Sequence, residues 1–180
     1  MAFIRQKMEQ PPSASIIPGL NSPDELILFA KNKNICLEPL DVSKLTQALG
    51  IIMRMEPLQG DESGSLKKNK KTGEWVMTIN SLHHPHRQRF TIAHEIGHYL
   101  KHSFKNDFFE DQVFFRNGDT NKMETEANKF AAELLMPEPE FRKYISEHSA
   151  SVSDIAEHFH VSSMAVRVRA KQLGFQGHNL

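Results

Sequence analysis

Two stretches of the chain carry a helical period of apolar residues. RQRFTIAHEIGHYLKH, residues 87–102, places Phe90, Ile92, Ala93, Ile96 and Leu100 so that much of its surface needs cover, which predicts a core helix. METEANKFAAELLM, residues 123–136, sets Ala127, Phe130, Ala131, Leu134 and Leu135 in one stripe, predicting a second helix from about Lys122 that Pro137 stops. DVSKLTQAL, residues 41–49, predicts a short amphipathic helix capped by Asp41. IIMRMEP and WVMTIN read as strands, GDESG as a turn, and LKKNKKTGE as a polar, hairpin-like connection whose lysines are a solvated loop. Residues 103–121 hold Phe104, Phe108, Phe109, Phe114 and Phe115 with no clean period and predict a packed loop.

From Ser151 onward the pattern predicts two short helices about a tight turn at His160 to Ser162, sharing Ile155, Phe159, Val161, Val166 and Leu173 as a small core. Residues 1–22, with Pro11, Pro12, Pro18 and Gly19, read as a loose lead-in. The expected organisation is therefore a lead-in over 1–22, one α+β domain over 23–145 and a helix-turn-helix-like helical segment over 146–180.

Charge changes that picture mainly by exclusion. Lys plus Arg and Asp plus Glu each number 22, so no overall positive field draws the chain to nucleic acid or an anionic membrane. Arg167, Arg169 and Lys171 add only local charge, offset by Asp154 and Glu157, so docking or packing is the favoured reading of the C-terminal segment over direct DNA binding. A single cysteine, Cys36, rules out an intramolecular disulfide and a thiolate-rich zinc site. With no signal-peptide core and no apolar run long enough for a bilayer, a cytoplasmic protein without membrane contact is expected.

The chemistry lies in the first helix. His94, Glu95, Ile96, Gly97 and His98 spell HExxH. Residues four apart lie one turn up the same helix face, so both imidazoles can reach one zinc ion about 2 Å away. Glu95, beside them, can take a proton from water at the ion and return it to the leaving amine. A third ligand is required. His102 stands two turns, about 12 Å, from His94 and fails on reach. Glu124, Glu126 and Glu133 on the second helix are all available. Glu124 is favoured because it shares a face with Asn128, which can orient His94 or His98; Glu126 is the runner-up. Manganese or iron would also suit two histidines and one glutamate.

RFTIAHEIGHYL followed by ETEANKFAAELLMP resembles the ImmA/IrrE family of bacterial and phage metallopeptidases, in order and spacing. The likeness runs more loosely from about Asp41 to Phe175, including HFHVSSMAVRVRAKQLGF. The resemblance implies a zincin-like fold, a small twisted sheet packed on the HExxH helix and a second ligand helix. It implies His94, His98 and Glu124 as metal ligands and Glu95 as base. It further implies a zinc endopeptidase that cuts a helix-turn-helix repressor, often encoded next door, and so releases the repressed genes.

A further expectation follows from the residues. The strand around Glu74 to Asn80 is taken as an open edge to which an extended peptide adds, holding its scissile carbonyl over the metal. The residues do not identify the group that stabilises the oxyanion besides zinc; Tyr99 and His102 are nearby in sequence, and each serves equally well as a packing or surface residue. A reading of another class remains, a metal- or DNA-binding regulator whose HExxH helix cuts nothing; Glu95→Gln separates the two.

Overall fold

Lys67 and Lys68, which the hydropathy pattern leaves in a connection, belong to the middle of a sheet. A computed structural model describes residues 19–104, 107–112 and 122–175. The elements run α1 (Pro23–Asn32), α2 (Val42–Ala48), β1 (Ile52–Glu56), β2 (Glu62–Lys68), β3 (Trp75–Asn80), α3 (Pro85–His102), β4 (Phe108–Gln112), α4 (Lys122–Leu135), α5 (Glu138–Glu147), α6 (Val152–Phe159) and α7 (Ser163–Gln172). The strands form one sheet in the order β1-β3-β2-β4, with β1 parallel to β3 and the other pairs antiparallel. The arrangement is the α+β, zincin-like one expected, a small sheet packed on the HExxH helix with a second helix across it.

Three expectations change here. The GDESG turn is confined to Gly60 and Asp61, because β2 begins at Glu62; the sequence hides this strand because its buried positions include Ser63 and Gly64, with Leu66 as the one large apolar side chain among them. Small residues are needed at that point. A Cβ on Gly64 would lie 2.7 Å from Thr91 Cγ2 and 2.9 Å from the Thr78 carbonyl oxygen, so α3 sits down on the sheet there. The packed loop over 103–121 contains β4, and its residues 113–121, with Phe114 and Phe115, lie outside the described residues. Last, β3 is not an edge: β1 and β2 flank it on both sides, leaving no free main-chain row for a peptide. Among the described residues the edges are β1 and β4.

The inward sheet face, Leu66, Trp75, Met77, Ile79 and Phe109, packs with Ile92, Ile96 and Leu100 of α3 in a single buried cluster. α4 lies against α3 so closely that a Cβ on Gly97 would come within 3.3 Å of Ala127 Cα and the Phe130 side chain. That approach sets the functional geometry, since it brings the start of α4 over the histidine face of α3.

The caps follow local chemistry. Asp41 accepts from the Lys44 amide as expected. Ser22 and Glu25 form a capping box at α1, a helix the apolar pattern did not announce. The two C-terminal helices meet at His160, which takes the left-handed conformation, and Ser162 caps α7. Their core residues continue the main core instead of closing a separate one, with Phe141 of α5 stacked 5.9 Å from Phe159. Arg169 is buried too: its Nε donates to the Met136 carbonyl and its Nη1 lies 3.7 Å from Glu133. It is thus a packing residue and adds nothing to an exposed basic patch. Among the described residues no helix is long and apolar enough to cross a membrane.

Candidate metal centre

His94 and His98 fall on the side of α3 that α4 covers, and both are essentially sealed from solvent, as is Glu95 between them. Their Nε2 atoms lie 2.9 Å apart. Glu124, in the first turn of α4, closes the triangle: one carboxylate oxygen is 3.2 Å from His94 Nε2 and the other 3.2 Å from His98 Nε2. These three side chains are the one His/Cys/Asp/Glu group among the described residues that gathers ligand atoms within 4.8 Å of one another.

The spacing suits a metal. A tetrahedral zinc with ligands about 2.0–2.1 Å away holds neighbouring donor atoms about 3.3 Å apart, so these side chains need open by only a few tenths of an ångström. The ionic states suit it as well. Burial lowers the His94 imidazole below its ordinary value, outweighing the contacts to Glu124 and Asn128 that would raise it, and keeps the ring neutral. Burial alone would raise the Glu124 carboxyl, but the hydrogen bonds from His94 and His98 outweigh it and hold the group well below the usual carboxylate range. Neutral imidazole and ionised carboxylate are the forms that bind zinc.

Behind the ligands stands a second set of contacts. His94 Nδ1 lies 3.1 Å from Asn128 Oδ1, so the partner expected for one of the histidines is paired with His94. His98 Nδ1 lies 3.2 Å from His102 Nδ1, and His102 Nε2 lies 3.0 Å from Glu126 Oε2. The ring of Phe109, on the edge strand β4, stacks on His98 at 4.7 Å.

The candidates therefore separate cleanly. His94, His98 and Glu124 come together, with Glu95 buried beside them. Glu126 bonds to His102 and stands outside the group, and Glu133 is taken by Lys129 and Arg169. Tyr99 is wholly buried edge-on to Trp75, in the core. Sequence reasoning weighed His102 as a ligand and as an oxyanion partner and missed its contact with His98. The signal was present, since residues 94, 98 and 102 recur every four positions along one helix face.

The comparisons with known proteins bear on the family. The peptidase family model described as the IrrE N-terminal-like domain matches residues 46–171. The chain is 34% identical over 119 residues to Metallopeptidase ImmA of Bacillus subtilis, a match covering 64% of this chain and 66% of that protein. It is 37% identical over 84 residues to the Radiation response metalloprotease IrrE of Deinococcus radiodurans, covering 46% of this chain and 25% of that one. The chain thus covers about two thirds of the first relative and a quarter of the second. In fold it is similar to a Mycobacterium tuberculosis transcriptional regulator, with a TM-score of 0.58 at 14% identity over 87% of this chain and 48% of the other.

Proposed function

Because the chain belongs to the IrrE N-terminal-like domain family of peptidases, we propose that it is a zinc-dependent endopeptidase, cytoplasmic, whose substrate is a specific protein, a helix-turn-helix repressor encoded nearby. The observation that carries this reading is the convergence of His94 Nε2, His98 Nε2 and the Glu124 carboxylate on one point, beside the buried Glu95. ImmA and IrrE are named as metallopeptidase and metalloprotease, which supports the same activity.

His94 and His98 would hold the ion through Nε2, and Glu124 through a carboxylate oxygen, leaving one position for water and substrate. Zinc bound there supplies Lewis acidity, polarising the scissile carbonyl and easing the ionisation of water. Glu95, one residue from His94 and shut off from bulk solvent, is placed to receive the proton and pass it to the leaving amine. Among the described residues β4 is the edge strand on the metal side, through the Phe109 to His98 stack, and an extended peptide can add to its outer row.

The test is to mix the full chain with the small helix-turn-helix protein encoded beside it, with and without zinc. One defined cut is expected, lost with a chelator and lost in Glu95→Gln while zinc still binds. Equal cutting by Glu95→Gln would overturn the assignment of the base, and a wild-type chain that takes no metal would overturn the enzyme.

A further inference from the structure

His94 and His98 serve the same centre, but their outer nitrogens meet different partners. His94 Nδ1 faces an amide oxygen, Asn128 Oδ1, at 3.1 Å. An amide oxygen only accepts, so with Nε2 turned from its contact with Glu124 to a metal, the single ring proton sits on Nδ1. His98 Nδ1 faces another imidazole nitrogen, His102 Nδ1, at 3.2 Å. That contact alone decides nothing, because an imidazole nitrogen can give or take a proton. Were His102 Nδ1 the donor, His98 would carry its proton on Nε2 and be useless as a ligand.

Glu126 resolves the choice. Its Oε2 lies 3.0 Å from His102 Nε2, and an ionised carboxylate only accepts. The His102 proton is therefore drawn to Nε2 and its Nδ1 becomes an acceptor, so that His98 can donate from Nδ1 when its Nε2 leaves Glu124 for a metal. We propose that His102 and Glu126 form a positioning relay that fixes the tautomer and ring orientation of His98, an inference that rests on the metal-centre reading above. Packing holds the relay in line: His102 is only 6% exposed, and Phe109 covers both rings, 4.7 Å from His98 and 6.2 Å from His102. The two ligands are thus fixed by separate devices, an amide from α4 for one and a histidine-carboxylate pair linking α3 to α4 for the other.

The experiment is calorimetric titration of zinc into the metal-free full chain for the wild type, His102→Phe, His102→Asn, Glu126→Gln and the His102→Asn/Glu126→Gln double variant. Loss of the acceptor in His102→Phe is expected to weaken zinc binding about 10–100-fold. His102→Asn offers an amide oxygen where Nδ1 stood, as Asn128 does for His94, and is expected to restore affinity to within about threefold of wild type. Glu126→Gln should weaken binding several-fold in the wild type and change nothing beside His102→Asn, a coupling that a purely structural role would not produce. Glu126 is half exposed at the start of α4, so this comparison stands even if His102→Phe folds poorly. Unchanged affinity in folded His102→Phe, or an equal effect of Glu126→Gln in both backgrounds, overturns the relay while leaving the metal centre intact. A wild type that takes up no zinc overturns both.

Discussion

The metal centre on α3 and the C-terminal helix pair both bury polar side chains, with opposite outcomes. Arg169 on α7 is sealed in and satisfied by protein alone, with the Met136 carbonyl, Gln172 Oε1 at 3.5 Å and Glu133 around it. His94, His98 and Glu124 are instead arranged with acceptor atoms facing one another at 2.9–3.2 Å. Three inward lone-pair donors repel unless a cation or protons lie between them. The lesson is that burial does not mark a functional site; the direction of the buried lone pairs does. Where hydrogen-bonding capacity closes on backbone and surface groups the residue is structural, and where ligand atoms of three side chains converge on one point the geometry suits a metal.

That contrast can be broken first at the ligands. His98→Ala or Glu124→Ala should abolish tight zinc binding and cleavage together, and should erase the zinc-dependent rise in thermal midpoint, worth about 2.7 kcal/mol at zinc 100-fold above its Kd. Calorimetry and melting curves with and without zinc check both effects. Next in size, Glu95→Gln should lower cleavage by about 10²–10⁴-fold with zinc affinity kept, read from turnover and metal content of the same preparation.

The structural side of the contrast should respond in stability alone. Arg169→Met leaves the Met136 carbonyl buried without its donor and should cost about 1–3 kcal/mol in denaturant unfolding, with zinc affinity unchanged. Loss of zinc binding in that variant would erase the distinction drawn between the two regions. pH sharpens the same point. Because burial holds His94 below 6.5, the unfolded chain takes up a proton below that value that the folded chain resists, so metal-free stability should be full above 6.5 and fall as pH drops beneath it. Zinc, which requires the same neutral imidazole, should stabilise less as the pH falls. Denaturant titrations between pH 7 and 5, repeated with His94→Ala, check the assignment.

The smallest effect is expected at Gly97. Alanine there gains about 1 kcal/mol of helix propensity, but its Cβ meets the backbone of Ala127 and the Phe130 side chain at 3.3 Å. Stability should move by less than about 1 kcal/mol, while zinc affinity falls several-fold as α4 is pushed away from the histidines. A drop in stability with unaltered affinity would show that the helix spacing is not what sets the site.

Much of this architecture can be read from the chain because both ligand helices carry a long apolar period and the site residues recur at helical spacing. Asn128 is legible from its position four residues after Glu124, and the turn at His160 to Ser162 from the short amphipathic runs on either side. The sheet is less legible for a physical reason. β2 is buried largely through Ser63 and Gly64, which carry no hydropathy signal, because α3 presses on the sheet at Thr91. β4 is short, and its two phenylalanines diverge, Phe109 inward onto His98 and Phe108 outward beside Lys67. Strand order is written in no local pattern either, so β3 passes for an edge until its neighbours on both sides are seen. α1 had a usable signal, the Ser22 and Glu25 capping box after a proline-rich stretch.

The most direct test of the account is a crystal structure of the zinc-loaded chain with anomalous data at the zinc edge. One ion per chain is predicted between α3 and α4, about 2.0–2.1 Å from Nε2 of His94 and His98 and about 2.0–2.2 Å from a Glu124 oxygen. Zinc absent from that point, or held instead by other side chains, would contradict it.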